Sequence, residues 1–112
     1  MTHIHAYQSR GLTRDLVITD ANGDVIVPGV NDKVRVLIGR EGEIPKMTVV
    51  NDAPTANGST LSKGATNRLR LDASDLAAIS SGAYTLFFDY FDNADAAEWK
   101  NVSRQVFTLE PT

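Results

Sequence analysis

The sequence predicts an all-β domain, an antiparallel β-sandwich of about seven strands with one short helical turn near residues 73–80. Three observations lead there. From Ala83 to Phe91 the residues are almost all aromatic, β-branched or aliphatic. Alternation places Tyr84, Leu86, Phe88 and Tyr90 on one face and Thr85, Phe87, Asp89 and Phe91 on the other. A second stretch, Lys33–Arg40, alternates cleanly, with Val34, Val36 and Ile38 inward and Arg35 and Leu37 outward. Turn-forming pairs punctuate the chain between such runs, among them Asn22-Gly23 and Pro28-Gly29. A wholly apolar face backed by a mixed one suits a central strand whose inner side meets a second sheet. The rings of that strand dominate the expected core, since burying one contributes roughly 1.5–3 kcal/mol.

Composition bounds what such a domain does. At 112 residues the chain is one domain, read as an N-terminal arm over 1–8 and a sandwich over 9–112. The net charge is −3 and no face reads as a basic stripe, which argues against dedicated nucleic-acid or membrane-surface binding. There is no cysteine, hence no disulfide framework, thiol nucleophile or zinc ribbon. No segment reaches a transmembrane length, and the N-terminus lacks a charged-then-apolar secretory pattern. Synthesis in the cytoplasm without export is the expectation.

The arm holds both histidines, His3 and His5, flanking Ile4. On a strand they would share a face, but no third ligand stands near, so two solvated histidines are expected rather than a metal site. Such an arm orders against a neighbouring subunit. Leu12–Thr19 reads as a strand with Leu12, Leu16 and Ile18 in phase; Arg14 falls in that phase too, so pairing is expected to begin after it. Asn22-Gly23 then turns a hairpin. Asp20, Asn22 and Asp24 resemble the start of a calcium loop only superficially, because Val25 replaces the required glycine and the terminal glutamate is missing. Val25–Val27 is a short strand stopped by Pro28-Gly29.

Beyond Lys33–Arg40, the charged loop Glu41–Lys46 lacks the Gly-Lys-Ser/Thr ending of a phosphate loop. Met47–Val50 reads as an edge strand, and the polar Asn51–Thr60 as the longest mobile surface loop. Leu61–Asn67 is weakly patterned, whereas Arg68–Leu71 alternates with both leucines inward. Asp72 or Ser74 caps a turn whose apolar members are Leu76, Ala77 and Ile79. In Asp92–Lys100 the acids Asp92, Asp95 and Glu98, with Asp89, read as solvated loop carboxylates rather than as a glycosidase or cation site. Trp99 is expected to plug the end of the sandwich, with a partner anchor as the alternative. In the last strand, Asn101–Leu109, Phe107 and Leu109 take one phase while Val102 and Val106 take the other, which predicts a bulge or a two-sided apolar environment.

Two family-level readings follow from these residues. Asp75-Leu76 followed by Gly82-Ala83-Tyr84 at a strand start looks like the tyrosine corner of immunoglobulin-like domains, where the tyrosine hydroxyl bonds back to the preceding connection. The hairpin Leu12–Val27, the strand Val34–Arg40 and the order Leu69-Arg70-Leu71, Asp75-Leu76, Gly82-Ala83-Tyr84 together resemble small virion proteins of tailed bacteriophages. These include immunoglobulin-like head decoration proteins and the N-terminal domains of baseplate upper proteins. The resemblance spans most of the chain, through structural motifs; Ser81 stands where proline is common.

The resemblance implies a non-enzymatic component of the virion, assembled in the host cytoplasm, with no cofactor and no catalytic residue to carry over. A capsid decoration or cement protein binding the major capsid protein comes first, with a homo-oligomer as a further expectation. A tail, baseplate or head–tail connector component is the alternative. A carbohydrate-binding module built on Trp99 and the acidic loop is the competitor from another class. Partner binding is expected from His3, Ile4, His5 and Tyr7 of the arm, from the 51–67 segment, and from Leu37, Phe87, Phe91 and Trp99.

Overall fold

The fold is that of a computed structural model describing residues 3–94 and 98–111. In chain order the elements are β1 (His3–Tyr7), β2 (Leu12–Leu16), β3 (Ile18–Thr19), β4 (Val25–Ile26), β5 (Lys33–Gly39), β6 (Met47–Val50), β7 (Thr60–Ser62), β8 (Asn67–Leu71), α1 (Ala73–Ala77), β9 (Gly82–Phe91) and β10 (Trp99–Glu110). They form a five-stranded sheet, β1-β10-β9-β5-β6, and a three-stranded sheet, β2-β8-β7. Among the described residues every pairing is antiparallel except β1 with β10. The class is all-β, as alternation predicts. There are more strands than the expected seven, because two are only two residues long and residues 3–7 supply another.

One core joins both sheets. The larger contributes Val34, Val36, Ile38, Leu86 and Phe88, all fully buried, and the smaller contributes Leu16, Leu61, Leu69 and Leu71. Tyr84 is buried as well, while Tyr90 is half-buried at the margin. The bulge falls at Val102: Asn101 pairs with Asp89 and Ser103 with Phe88, so one residue is extra. That phase change lets Val102 pack against the core and still turns Phe107 and Leu109 inward.

The hairpin forms at its predicted turn. Asp20 N–H donates to Asp24 O, Gly23 N–H to Asp20 O, and Gly23 takes φ +85°, a left-handed conformation suited to glycine. The resulting ribbon, β3 with β4, is hydrogen-bonded into neither larger sheet. Before β9, Asp72 caps α1 by accepting from Ser74 N–H at 2.9 Å, and Leu76 and Ile79 enter the core. Tyr84 then donates its hydroxyl hydrogen to Ser80 O at 2.6 Å, the backward bond expected of it.

Four expectations about the elements need correction. Residues 3–7 are not an arm: they pair in parallel with β10, and Ile4 and Ala6 are buried. The physical reason is their own alternation, which sends these two inward and His3, His5 and Tyr7 outward. Arg14 does not delay pairing, because Leu12 already pairs with Leu71 and Arg14 lies half-buried opposite Leu69. The 51–60 loop is pinned rather than loose. Thr55 Oγ1, Asn57 Nδ2 and Ser59 Oγ all donate to the Asp75 carboxylate, and Ser59 Oγ in turn accepts from Asp72 N–H. Trp99 does not plug an end; it opens β10 opposite Phe91.

Candidate functional site

The outward face of the five-stranded sheet collects most of the residues expected to bind a partner. Cross-strand partners share a face, so the registers of β5, β9 and β10 arrange it in rows. The first row is Lys33, Phe91 and Trp99; the second Arg35, Asp89 and Asn101; the third Leu37, Phe87 and Arg104. Further along, β1 adds His3, His5 and Tyr7 beside Val106, Thr108 and Glu110. Of the residues named from sequence, only Ile4 is elsewhere: at 1% exposure it belongs to the core and cannot meet a partner while the strand is in place.

The middle row is polar and built. Asp89 is 6% exposed, so an unpaired charge there would be costly. Its Oδ2 accepts from Arg35 Nε–H at 2.8 Å and its Oδ1 from Asn101 Nδ2–H at 3.0 Å. The expectation that Asp89 is a solvated loop acid is therefore wrong; it is a mid-strand carboxylate matched to the arginine on the neighbouring strand. The Arg35 guanidinium also stacks on Trp99, with Cζ 4.2 Å from the ring centroid, and Phe91 meets that ring at 5.5 Å and 57°. Trp99 thus lies flat under a cation, with one ring face covered.

Next to this row the loop between β5 and β6 rises over the sheet. Its approach needs a glycine: a Cβ on Gly39 would stand 3.0 Å from Pro45 Cα. Between loop and sheet lies an open pocket of about 270 Å³, floored by Leu37 and Phe87 and bounded by Pro45, Asn101 and Arg104. Arg104 closes its rim, with Nη1 donating to Glu41 Oε1 at 3.0 Å and Cζ 5.2 Å from the Phe87 ring.

At the β1 end the two histidine rings stack at 4.2 Å. His3 Nε2 lies 2.7 Å from Thr108 Oγ1, and His5 Nδ1 lies 3.7 Å from Glu110 Oε1. Among the described residues no group of three or more histidine, cysteine, aspartate or glutamate side chains is placed to hold a metal ion. Of the acidic quartet considered from sequence, Asp95 lies outside the described residues; Asp92 is half-buried and Glu98 exposed. Of the 51–67 segment, Asp52 reaches the face by pairing with Lys33, while Thr55 and Ser59 are tied to Asp75 and Thr60–Ser62 belong to the smaller sheet.

Sequence reasoning missed the Arg35–Asp89–Asn101 row. A lone aspartate inside an apolar strand was its only local signal; recognising its partners requires knowing that β5 and β10 flank β9. It also missed four exposed valines: Val17 just before β3, Val25 at the start of β4, and Val27 and Val30 after it. No protein-family model and no curated protein matches this chain, and the geometry of the sheet face is what speaks to its role.

Proposed function

We propose that this chain is a non-enzymatic structural protein of a tailed-bacteriophage virion: a capsid decoration or cement protein that binds the major capsid lattice through the outward face of its five-stranded sheet. One observation carries the binding part of the reading. Leu37, Phe87, Phe91 and Trp99, apolar and aromatic groups that water does not favour, stand together on that face around a satisfied polar row. The virion part rests on the resemblance of the hairpin, the β5 strand and the β8-to-β9 segment. The immunoglobulin-like reading draws support from the two sheet orders and from the Tyr84–Ser80 bond.

The test is the composition of purified virions of the phage that encodes the chain. Many copies in a fixed ratio to the major capsid protein support decoration. A few copies move the protein to the tail, baseplate or connector, and none at all sinks the virion reading. The carbohydrate-module alternative is disfavoured by Arg35, which occupies a ring face of Trp99 that a sugar would need. Glycan-array binding lost in Trp99→Ala would reverse that judgement.

A further inference from the structure

Arg35 is held on two sides and, among the described residues, has no partner on the third. Its Nε–H is committed to Asp89 and its plane to Trp99. Its Nη1 and Nη2 donors have no hydrogen-bond partner among the described residues, and the side chain keeps 28% of its accessible surface. An arginine fixed by stacking and by Nε–H has already lost its rotamer freedom. The remaining fork of N–H groups matches the two oxygens of a carboxylate.

The surroundings add apolar surface, while each of their cations is matched by an acid, so the preference for a carboxylate falls to the Arg35 fork itself. The three rows hold Lys33, Arg35 and Arg104 against a single acid, Asp89, whose oxygens are already engaged by Arg35 and Asn101. Asp52 and Glu41, which pair with Lys33 and Arg104, come from the flanking loops. The pocket over Leu37 and Phe87 lies one row away, and at about 270 Å³ it suits one bulky side chain better than a cofactor.

We propose that this face docks a partner protein through a segment presenting a carboxylate next to a bulky apolar side chain, the carboxylate on the free fork of Arg35 and the apolar group in the Leu37–Phe87 pocket. The inference rests on reading this face as the binding surface, and it names what that surface recognises. It needs no virion to be tested, so its failure and that of the virion reading are separable.

The experiment titrates the full chain with two blocked dipeptides, acetyl-Phe-Asp-amide and acetyl-Phe-Asn-amide, and follows two ¹H–¹⁵N signals. One is the indole N–H of Trp99, the sole tryptophan; the other is Arg35 Nε–H. The expected result is saturable movement of both signals with the aspartyl peptide. Binding should be about ten-fold weaker or worse with the asparaginyl peptide, the equivalent of one charge-assisted hydrogen bond. Arg35→Lys should lose the preference between peptides, and Phe87→Ser, which leaves the Arg35–Asp89 pair intact, should weaken both. Equal binding of the two peptides to the unaltered chain, or no movement of either signal, overturns the proposal. So does movement of the Trp99 signal with protein concentration alone, since a second copy would then be the occupant.

Discussion

Asp75 shows how one residue sets a pH range. Burial pushes its carboxyl up, but hydrogen bonds from Ser59, Thr55 and Asn57 push it down further, and the outcome lies below the ordinary carboxylate value. Asp32 is lowered too, first by the backbone N–H of Gly29 and then by that of Asn93. Tyr90 moves the other way, to about 12, through burial first and then through its bond to Asp32. A carboxylate depressed in the fold stabilises fully above its unfolded value, about 4, and loses that contribution as pH falls through the folded one. A raised tyrosine stabilises fully below its unfolded value, about 10, and loses that contribution as pH climbs through the folded one. Denaturant midpoints measured against pH should therefore form a plateau between these limits. Asp75→Asn should flatten the acid limb and Tyr90→Phe the alkaline one; an acid limb unchanged in Asp75→Asn would mean that the loop clamp is not its source. At the corner before β9, Tyr84→Phe removes one hydrogen bond to Ser80 and should cost about 1 kcal/mol, read as a shift in urea midpoint at constant slope.

Among the elements, β1 departs furthest from its sequence reading. A loose arm over residues 1–8 could be deleted with the fold left intact. With Ile4 and Ala6 in the core, the deletion should instead destabilise the domain, and Ile4→Ala alone should cost about 2–4 kcal/mol by chemical denaturation. The signal was present, since His-Ile-His-Ala-Tyr alternates, but its polar half matched that of a solvated terminus. Strands with longer alternation, β5 and β9, were legible because a period of two leaves little choice of face. Even the Val102 bulge could be read, from a phase conflict within one strand. Adjacency could not be read: nothing local in β5 says that β9 lies beside it. For that reason Leu37, Phe87, Phe91 and Trp99 were found one by one, while the Arg35–Asp89 pair that joins their rows was not. The 51–60 loop failed for a related reason, because the carboxylate that ties it down lies on α1, far along the chain.

Taken whole, the molecule exposes apolar side chains in two places of different make. The sheet face is broad and organised around a fixed arginine. The other is carried by the β3–β4 ribbon and the turn after it, where Val30 stands 93% exposed. That turn is tied down by Lys63, whose Nζ donates to the carbonyls of Gly29, Val30 and Asp32. The parallel pairing of β1 with β10 has a consequence of another kind. His3 lies beside Val106 and Tyr7 beside Glu110, so tension applied to the two chain ends drags these strands past each other lengthwise. The whole ladder then bears the load at once, in shear, instead of opening rung by rung. The absence of native cysteine permits a direct comparison in an optical trap. Handles on the two termini should demand several-fold more force to unfold the domain than handles on Tyr7→Cys and Glu110→Cys, which sit side by side and peel the same ladder open. A domain tethered by its ends would thus be hardest to tear along the one direction in which its tethers can pull.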